Sequence, residues 1–284
     1  MDSKSGVISF FTALLRLTRF WNLVIIGVAQ YFAAYFLISK ATLTDWHLLV
    51  LSASTMIIAA AGYIINDYYD VKIDLINKPE RVVVGKKITR RYAILLHTIL
   101  SFIGIGLGLL LSWQIAAINF LSAFLLWLYS NQLKRQPFIG NLVVAALTGL
   151  SILLLEVLYK NNSPLITIYS LFAFFITLVR EIVKDMEDLK GDNTFGCKTL
   201  PIIWGIRKTK VFLYILLAIF SVVVLLVNHF YSRLPTIYFL LCLFGPVGWL
   251  LVRLVRADTI KEFYQLSQLC KVIMLLGIAS MVFI

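Results

Sequence analysis

The sequence predicts an all-α polytopic membrane protein: nine transmembrane helices in one bundle, with two Asp-rich helix–loop connections on the cytoplasmic side. Three observations carry that prediction. Hydrophobic residues make up 61% of the chain and charged residues 14%, with a mean hydropathy of +0.91. An average soluble domain is about 25% charged, so this composition excludes a soluble fold of this length. Apolar runs of the roughly 17–25 residues that cross a bilayer recur along the whole chain. The basic residues segregate to one side of those runs.

The N-terminal stretch is the first element. Arg16 and Arg19 follow its apolar residues instead of preceding them, and no small-residue cleavage site ends it, so it does not read as a cleavable signal. It is expected to form an amphipathic lead-in helix on the membrane surface, with Phe10, Phe11, Leu14, Leu15 and Leu17 toward lipid. Nine spans follow, at about 20–39, 46–65, 92–111, 114–130, 140–159, 164–180, 211–228, 236–254 and 264–284. Gly104, Gly106 and Gly108 in the third are expected to permit close helix approach. The last span contains Lys271, whose long stem can snorkel to the near interface. Cys197, Cys242 and Cys270 have no CxxC or paired spacing and read as free thiols.

With the N-terminus inside, 23 of the 26 Lys and Arg residues fall on the inner side, and only Lys40, Lys160 and Arg233 fall outside. The positive-inside rule therefore orients the N-terminus and the long polar connections toward the cytoplasm. The same topology accounts for the net charge of +12 without nucleic-acid binding, since the cations follow the membrane pattern and interleave with acids. The whole chain, 1–284, reads as a single transmembrane domain.

Two inner connections are long, 66–91 and 181–210, and hold nine of the 14 acidic residues. The first opens Asn66-Asp67-Tyr68-Tyr69-Asp70, reaching Asp74; the second contains Lys184-Asp185-Met186-Glu187-Asp188, reaching Asp192. Both have the spacing D-x2-D-x3-D, with Asp67, Asp70 and Asp74 in register with Asp185, Asp188 and Asp192. This internal repeat points to two similar helical halves. Offsets of three and seven residues lie within about one sixth of a turn, so each triplet lines one helical face, and Asn66 joins the first. Three carboxylates on one face repel one another. Mg²⁺, a hard cation that takes oxygen ligands and bridges carboxylates to phosphates, removes that repulsion. The two faces could therefore hold a diphosphate through metal ions. Basic neighbours suit such an anion: Lys78 and Arg81 after the first motif, Arg180 and Lys184 around the second, and Lys134 and Arg135 between them. Lys86, Lys87, Lys208 and Lys210 read as ordinary positive-inside charge.

N-D-Y-Y-D-x3-D followed by Asn77-Lys78-Pro79-Glu80-Arg81, with the second K-D-x2-D-x3-D after the sixth span, resembles the UbiA superfamily of intramembrane prenyltransferases. Smaller matches extend the resemblance over nearly the whole chain: Arg16 to Asn22, Tyr129-Ser130 with Leu133 to Arg135 and Gly140-Asn141, and Lys198 to Pro201. The resemblance implies a transferase that uses Mg²⁺, held by Asn66, Asp67, Asp70 and Asp74 and by Asp185, Asp188 and Asp192. A polyprenyl diphosphate donor, such as geranylgeranyl diphosphate, would also contact Lys78, Arg81, Lys134, Lys184 and Asn22. Asp70, Asp74, Asp188 and Asp192 would act on the leaving diphosphate, with Tyr129 beside the developing allylic cation. The motif is similar to the branch that acts on geranylgeranylglyceryl phosphate. An aromatic quinone precursor, hydroxybenzoate or dihydroxynaphthoate, is the other acceptor class.

A secondary transporter is the rival of a different kind. It would place ionisable groups near mid-membrane, whereas these spans carry few, chiefly Glu156 near the outer end of the fifth.

Overall fold

The structure, a computed structural model, describes residues 11–231, 241 and 244–283. Among these the regular elements are helices, with one isolated bridge between Val84 and Ile88. In chain order they are α1 Phe20–Ala33, α2 Trp46–Asn77, α3 Arg90–Leu111, α4 Trp113–Asn131, α5 Ile139–Tyr159, α6 Pro164–Glu187, α7 Leu189–Thr194, α8 Leu200–Tyr231, α9 Gly245–Arg256 and α10 Ile260–Ser280. Eight described segments are long and apolar enough to cross a membrane: α1 with the π turn that prolongs it to Ile38, α2 to α6, α8, and α10 with its final turn. The expected span at 236–254 lies partly outside the described residues, and α9 is its described portion.

Local chemistry sets the helix ends. The Asp45 carboxylate accepts from the His47 N–H at 3.0 Å and starts α2, and Pro164 stands in the first turn of α6, where its missing N–H is harmless. Ser112 serves two helices: its N–H closes α3 on the Gly108 carbonyl at 3.0 Å, and its hydroxyl accepts from Ile115 N–H at 3.2 Å to open α4. Gly205, at φ 76° and ψ 162°, breaks the start of α8 in a conformation that favours glycine.

The chain divides into two compact units, Met1–Val28 with Asp45–Leu133, and Ala29–Thr44 with Lys134–Ile284. Each carries one acidic motif. In the first, α2 packs against both α3 and α4. Its apolar window is 61% buried, whereas that of α3 is 11% buried and leaves Phe102, Leu109 and Leu110 exposed, as a lipid-facing helix requires. A Cβ on Gly104 would come within 2.7 Å of Ile58, and one on Gly108 within 3.2 Å of the Ala116 backbone, so both glycines allow close approach. Gly106 faces open space and does not. The lead-in stretch, helical over 11–17, is also not what the apolar pattern suggested. Ala13 and Leu17 are buried against Ile64, Val83, Val84, Ile88 and Ala93, so Leu17 faces protein rather than lipid, while Phe11 is exposed. Phe10 lies outside the described residues.

In the second unit α6 is central, packing on α5, α8 and α10. Ile176, Val179, Ile182, Val183 and Met186 of α6 join Leu213, Leu217 and Phe220 of α8, Leu250 of α9, and Phe263, Leu266 and Ile273 of α10 in one buried cluster. Glu156 is structural: its carboxylate accepts from the backbone N–H groups of Asn162 and Ser163, fixing the turn into α6. Buried Lys210 pairs with Asp258 at 2.9 Å.

Candidate active site

The first acidic motif is built on a helix too long for the bilayer. At about 1.5 Å per residue the 32 residues of α2 extend about 48 Å, against a hydrocarbon core of about 30 Å. The helix therefore does not end where its apolar run ends, at Ile65, but continues to Asn77. Asn66, Asp67, Asp70 and Asp74 stand half-buried on this extension. Lys78, also half-buried, closes it through its N–H to the Asp74 carbonyl at 2.8 Å. Arg81 follows in the loop, exposed, with its Nε 3.8 Å from the Glu80 carboxylate.

Arg19 reaches this motif from 48 residues upstream. Its Nη2 donates to Asp67 Oδ1 at 3.1 Å, and its guanidinium lies 4.8 Å from the centre of the Tyr63 ring. Arg19 has φ 51°, uncommon for a non-glycine residue, where the lead-in helix turns into α1. Asn22 follows it half-buried on α1, its N–H bonded to the Arg19 carbonyl at 2.8 Å. Tyr129 is half-buried two residues before the end of α4.

The second motif bends where the first is straight. Asp185 lies in α6, Asp188 is the junction residue, and Asp192 lies in α7. The helical register persists through the bend, since Asp192 N–H reaches the Asp188 carbonyl at 3.1 Å. Asp185 Oδ2 accepts from Nδ2 of buried Asn141 at 2.8 Å. The first position of each triplet thus has its own protein donor, Arg19 for Asp67 and Asn141 for Asp185. Neither donor was among the expected ligand-binding residues. Both lie in short family-like stretches, and no spacing rule ties them to the carboxylates.

Lys134 and Arg135 come from the α4–α5 connection to the segment after the second motif. The Arg135 carbonyl accepts the Lys198 N–H at 2.8 Å, and Cys197 N–H bonds the Asp192 carbonyl at 2.9 Å. Burial pushes the Cys197 thiol pKa up, Asp192 adds to the rise, and Arg135 and Lys134 oppose it. Lys184 and Arg180 are directed elsewhere: Lys184 Nζ donates to Glu181 at 3.2 Å and Arg180 Nη1 donates to Glu181 at 2.6 Å. Glu181 is buried, and a buried carboxylate requires such partners.

Among the described residues no three His, Cys, Asp or Glu side chains are gathered closely enough to hold a metal ion by themselves. The donor set is nevertheless suited to Mg²⁺: hard oxygen ligands in a row, two of them oriented by outer hydrogen-bond donors. Such a set is completed by water and by the phosphates of a substrate.

A family model described as "UbiA prenyltransferase family" matches residues 27–269. The digeranylgeranylglyceryl phosphate synthase of Saccharolobus solfataricus is 35% identical over 269 residues, 94% of each chain. Among solved structures, one of a digeranylgeranylglyceryl phosphate synthase in membranes superposes with a TM-score of 0.71 at 26% identity, covering 96% of this chain and 97% of that one. A UbiA homologue from Archaeoglobus fulgidus, solved with GPP and Mg²⁺ bound, gives 0.65 at 16% identity, covering 95% and 99%, and shares the fold. With membrane-length helices and a paired acidic motif already in place, the extent of these matches settles the family: the chain belongs to the UbiA prenyltransferases and is an integral membrane enzyme of that class.

Proposed function

We propose that the protein transfers a geranylgeranyl group from geranylgeranyl diphosphate to geranylgeranylglyceryl phosphate. The allylic C–O bond to the diphosphate breaks, a new C–O bond forms to the acceptor's free hydroxyl, and that hydroxyl loses its proton. The observation that carries the reading is the repeated carboxylate triplet, at the end of α2 and across the α6–α7 junction, in a chain 35% identical to a synthase of the expected product.

Asn66, Asp70 and Asp74, with Asp188 and Asp192, would hold Mg²⁺. The ion supplies charge neutralisation of the leaving diphosphate. Asp67 and Asp185, oriented by Arg19 and Asn141, would complete the ligand set. Arg81, Lys134 and Lys78 would neutralise the diphosphate further, with Asn22 as a polar contact; Lys184 would contribute only by leaving Glu181, to which it is bonded. Tyr129 offers its ring to the developing cation. Nine helices with the N-terminus and both acidic connections in the cytoplasm complete the reading, because that arrangement puts 23 of 26 cations inside.

An acceptor screen tests it. Purified protein in lipid receives Mg²⁺, labelled geranylgeranyl diphosphate and either geranylgeranylglyceryl phosphate, hydroxybenzoate or dihydroxynaphthoate. A labelled ether lipid is expected. A labelled aromatic product in its place would reject the acceptor and keep the reaction class.

A further inference from the structure

After the first acidic motif lies a cavity of about 150 Å³ lined by none of the residues assigned above to the donor or the metal. It sits inside the first compact unit, between the lead-in helix and the α2–α3 loop. Thr12, Arg16, Glu80, Lys86 and Lys87 form its polar wall. Its apolar floor includes Ala13 and Val83, which are held in place because they belong to the buried cluster with Leu17, Val84 and Ile88. The loop is closed by its own backbone: Lys87 N–H bonds the Val83 carbonyl at 2.9 Å, and Gly85 N–H bonds the Ile88 carbonyl at 2.7 Å. Lys86 Nζ donates to the carbonyl of Pro79, another lining residue, at 2.8 Å, which uses one of the three donors an ammonium carries.

Three cations and one carboxylate line the space, a formal charge of +2 (3 − 1). A phosphomonoester carries about −1.5 to −2 at neutral pH and offers several strong acceptor oxygens. With a water occupying about 30 Å³ of liquid, the cavity has room for such a group and some of its hydration. Ordinary positive-inside charge explains why lysines occur on this side of the membrane. It does not explain why cations from two chain segments, 70 residues apart at Arg16 and Lys86, converge on one formed cavity.

We propose that this cavity binds a phosphomonoester, the headgroup of the glyceryl phosphate acceptor. The acceptor's identity rests on the function proposed above; the anion chemistry of the cavity does not. A separate site also meets a physical need, since donor diphosphate and acceptor phosphate repel each other and would compete for the same metal and cations.

The test uses the full-length protein in neutral-lipid nanodiscs, with glycerol phosphate as the probe, comparing wild type with Arg16→Gln/Lys87→Gln. Loss of two charge-assisted contacts is expected to weaken glycerol phosphate binding at least about tenfold. In the transfer assay the same variant is expected to raise the KM for the acceptor by a similar factor while the donor KM moves less than about twofold. Equal glycerol phosphate affinity in both proteins overturns the proposal. A binding difference that appears only when anionic phosphodiester lipid is added to the disc also overturns it, by assigning the cations to bulk lipid. Wild-type protein that binds glycerol phosphate through these residues but forms no ether lipid refutes the proposed acceptor and leaves the anion site standing. Formation of ether lipid with an unchanged acceptor KM in the variant does the reverse.

Discussion

Arg19 Nη2 donates to Asp67 Oδ1 at 3.1 Å, joining the turn before the first membrane helix to the opening carboxylate of the first acidic motif. The second motif has a counterpart in Asn141, which donates to Asp185 at 2.8 Å. The two donors differ in charge and in origin, yet both engage the first Asp of a D-x2-D-x3-D triplet. A carboxylate held in this way keeps its neighbours on the same face aimed together, as outer hydrogen-bond partners do around a metal site.

Removing either donor is expected to lower kcat/KM by about 10- to 100-fold, the range found when such partners are lost. Arg19→Ala and Asn141→Ala should both insert normally, and Arg19→Lys should not restore full activity, because an ammonium lacks the planar fork of a guanidinium. Activity within twofold of wild type in both alanine variants would remove the positioning role.

Arg81 is exposed on the loop after α2, its Nε 3.8 Å from the Glu80 carboxylate. Arg81→Ala is expected to raise the KM for the prenyl diphosphate several-fold while the acceptor KM changes little. Steady-state kinetics with each substrate varied in turn checks this. Equal effects on both substrates would move Arg81 out of the diphosphate site.

The glycines of α3 separate packing from mere occupancy. Gly104→Ala places a Cβ 2.7 Å from Ile58 and should destabilise the protein by about 1–3 kcal/mol through overpacking. Gly106→Ala meets open space and should stabilise it by about 0.5–1 kcal/mol, because alanine favours the helix. Thermal unfolding in one detergent compares the two, and equal shifts would contradict the packing assigned to Gly104.

Much of this was legible in the sequence because membrane helices announce themselves by length and composition, and because an Asp triplet repeated in register is rare by chance. The same cues misled at Leu17 and Gly106. An apolar residue on a short amphipathic stretch reads the same whether lipid or protein covers it, and a glycine does not say which side its neighbour is on. The Arg19–Asp67 and Asn141–Asp185 contacts were invisible for a different reason. Their partners are 48 and 44 residues apart, and only tertiary packing, as of α5 on α6, brings them within reach. Periodicity also could not show that Lys184 and Arg180 are drawn to Glu181, since a buried acid and an exposed one look alike in a sequence.

The central claim is that both acidic faces bind the donor through Mg²⁺. The most direct measurement is the affinity of purified protein in lipid for geranylgeranyl diphosphate, with Mg²⁺ and with EDTA, in wild type, Asp70→Ala and Asp188→Ala. The account predicts tight binding only with Mg²⁺ in the wild type, and a loss of at least about tenfold in each variant although both remain folded. Binding that ignores EDTA and survives both substitutions would contradict it.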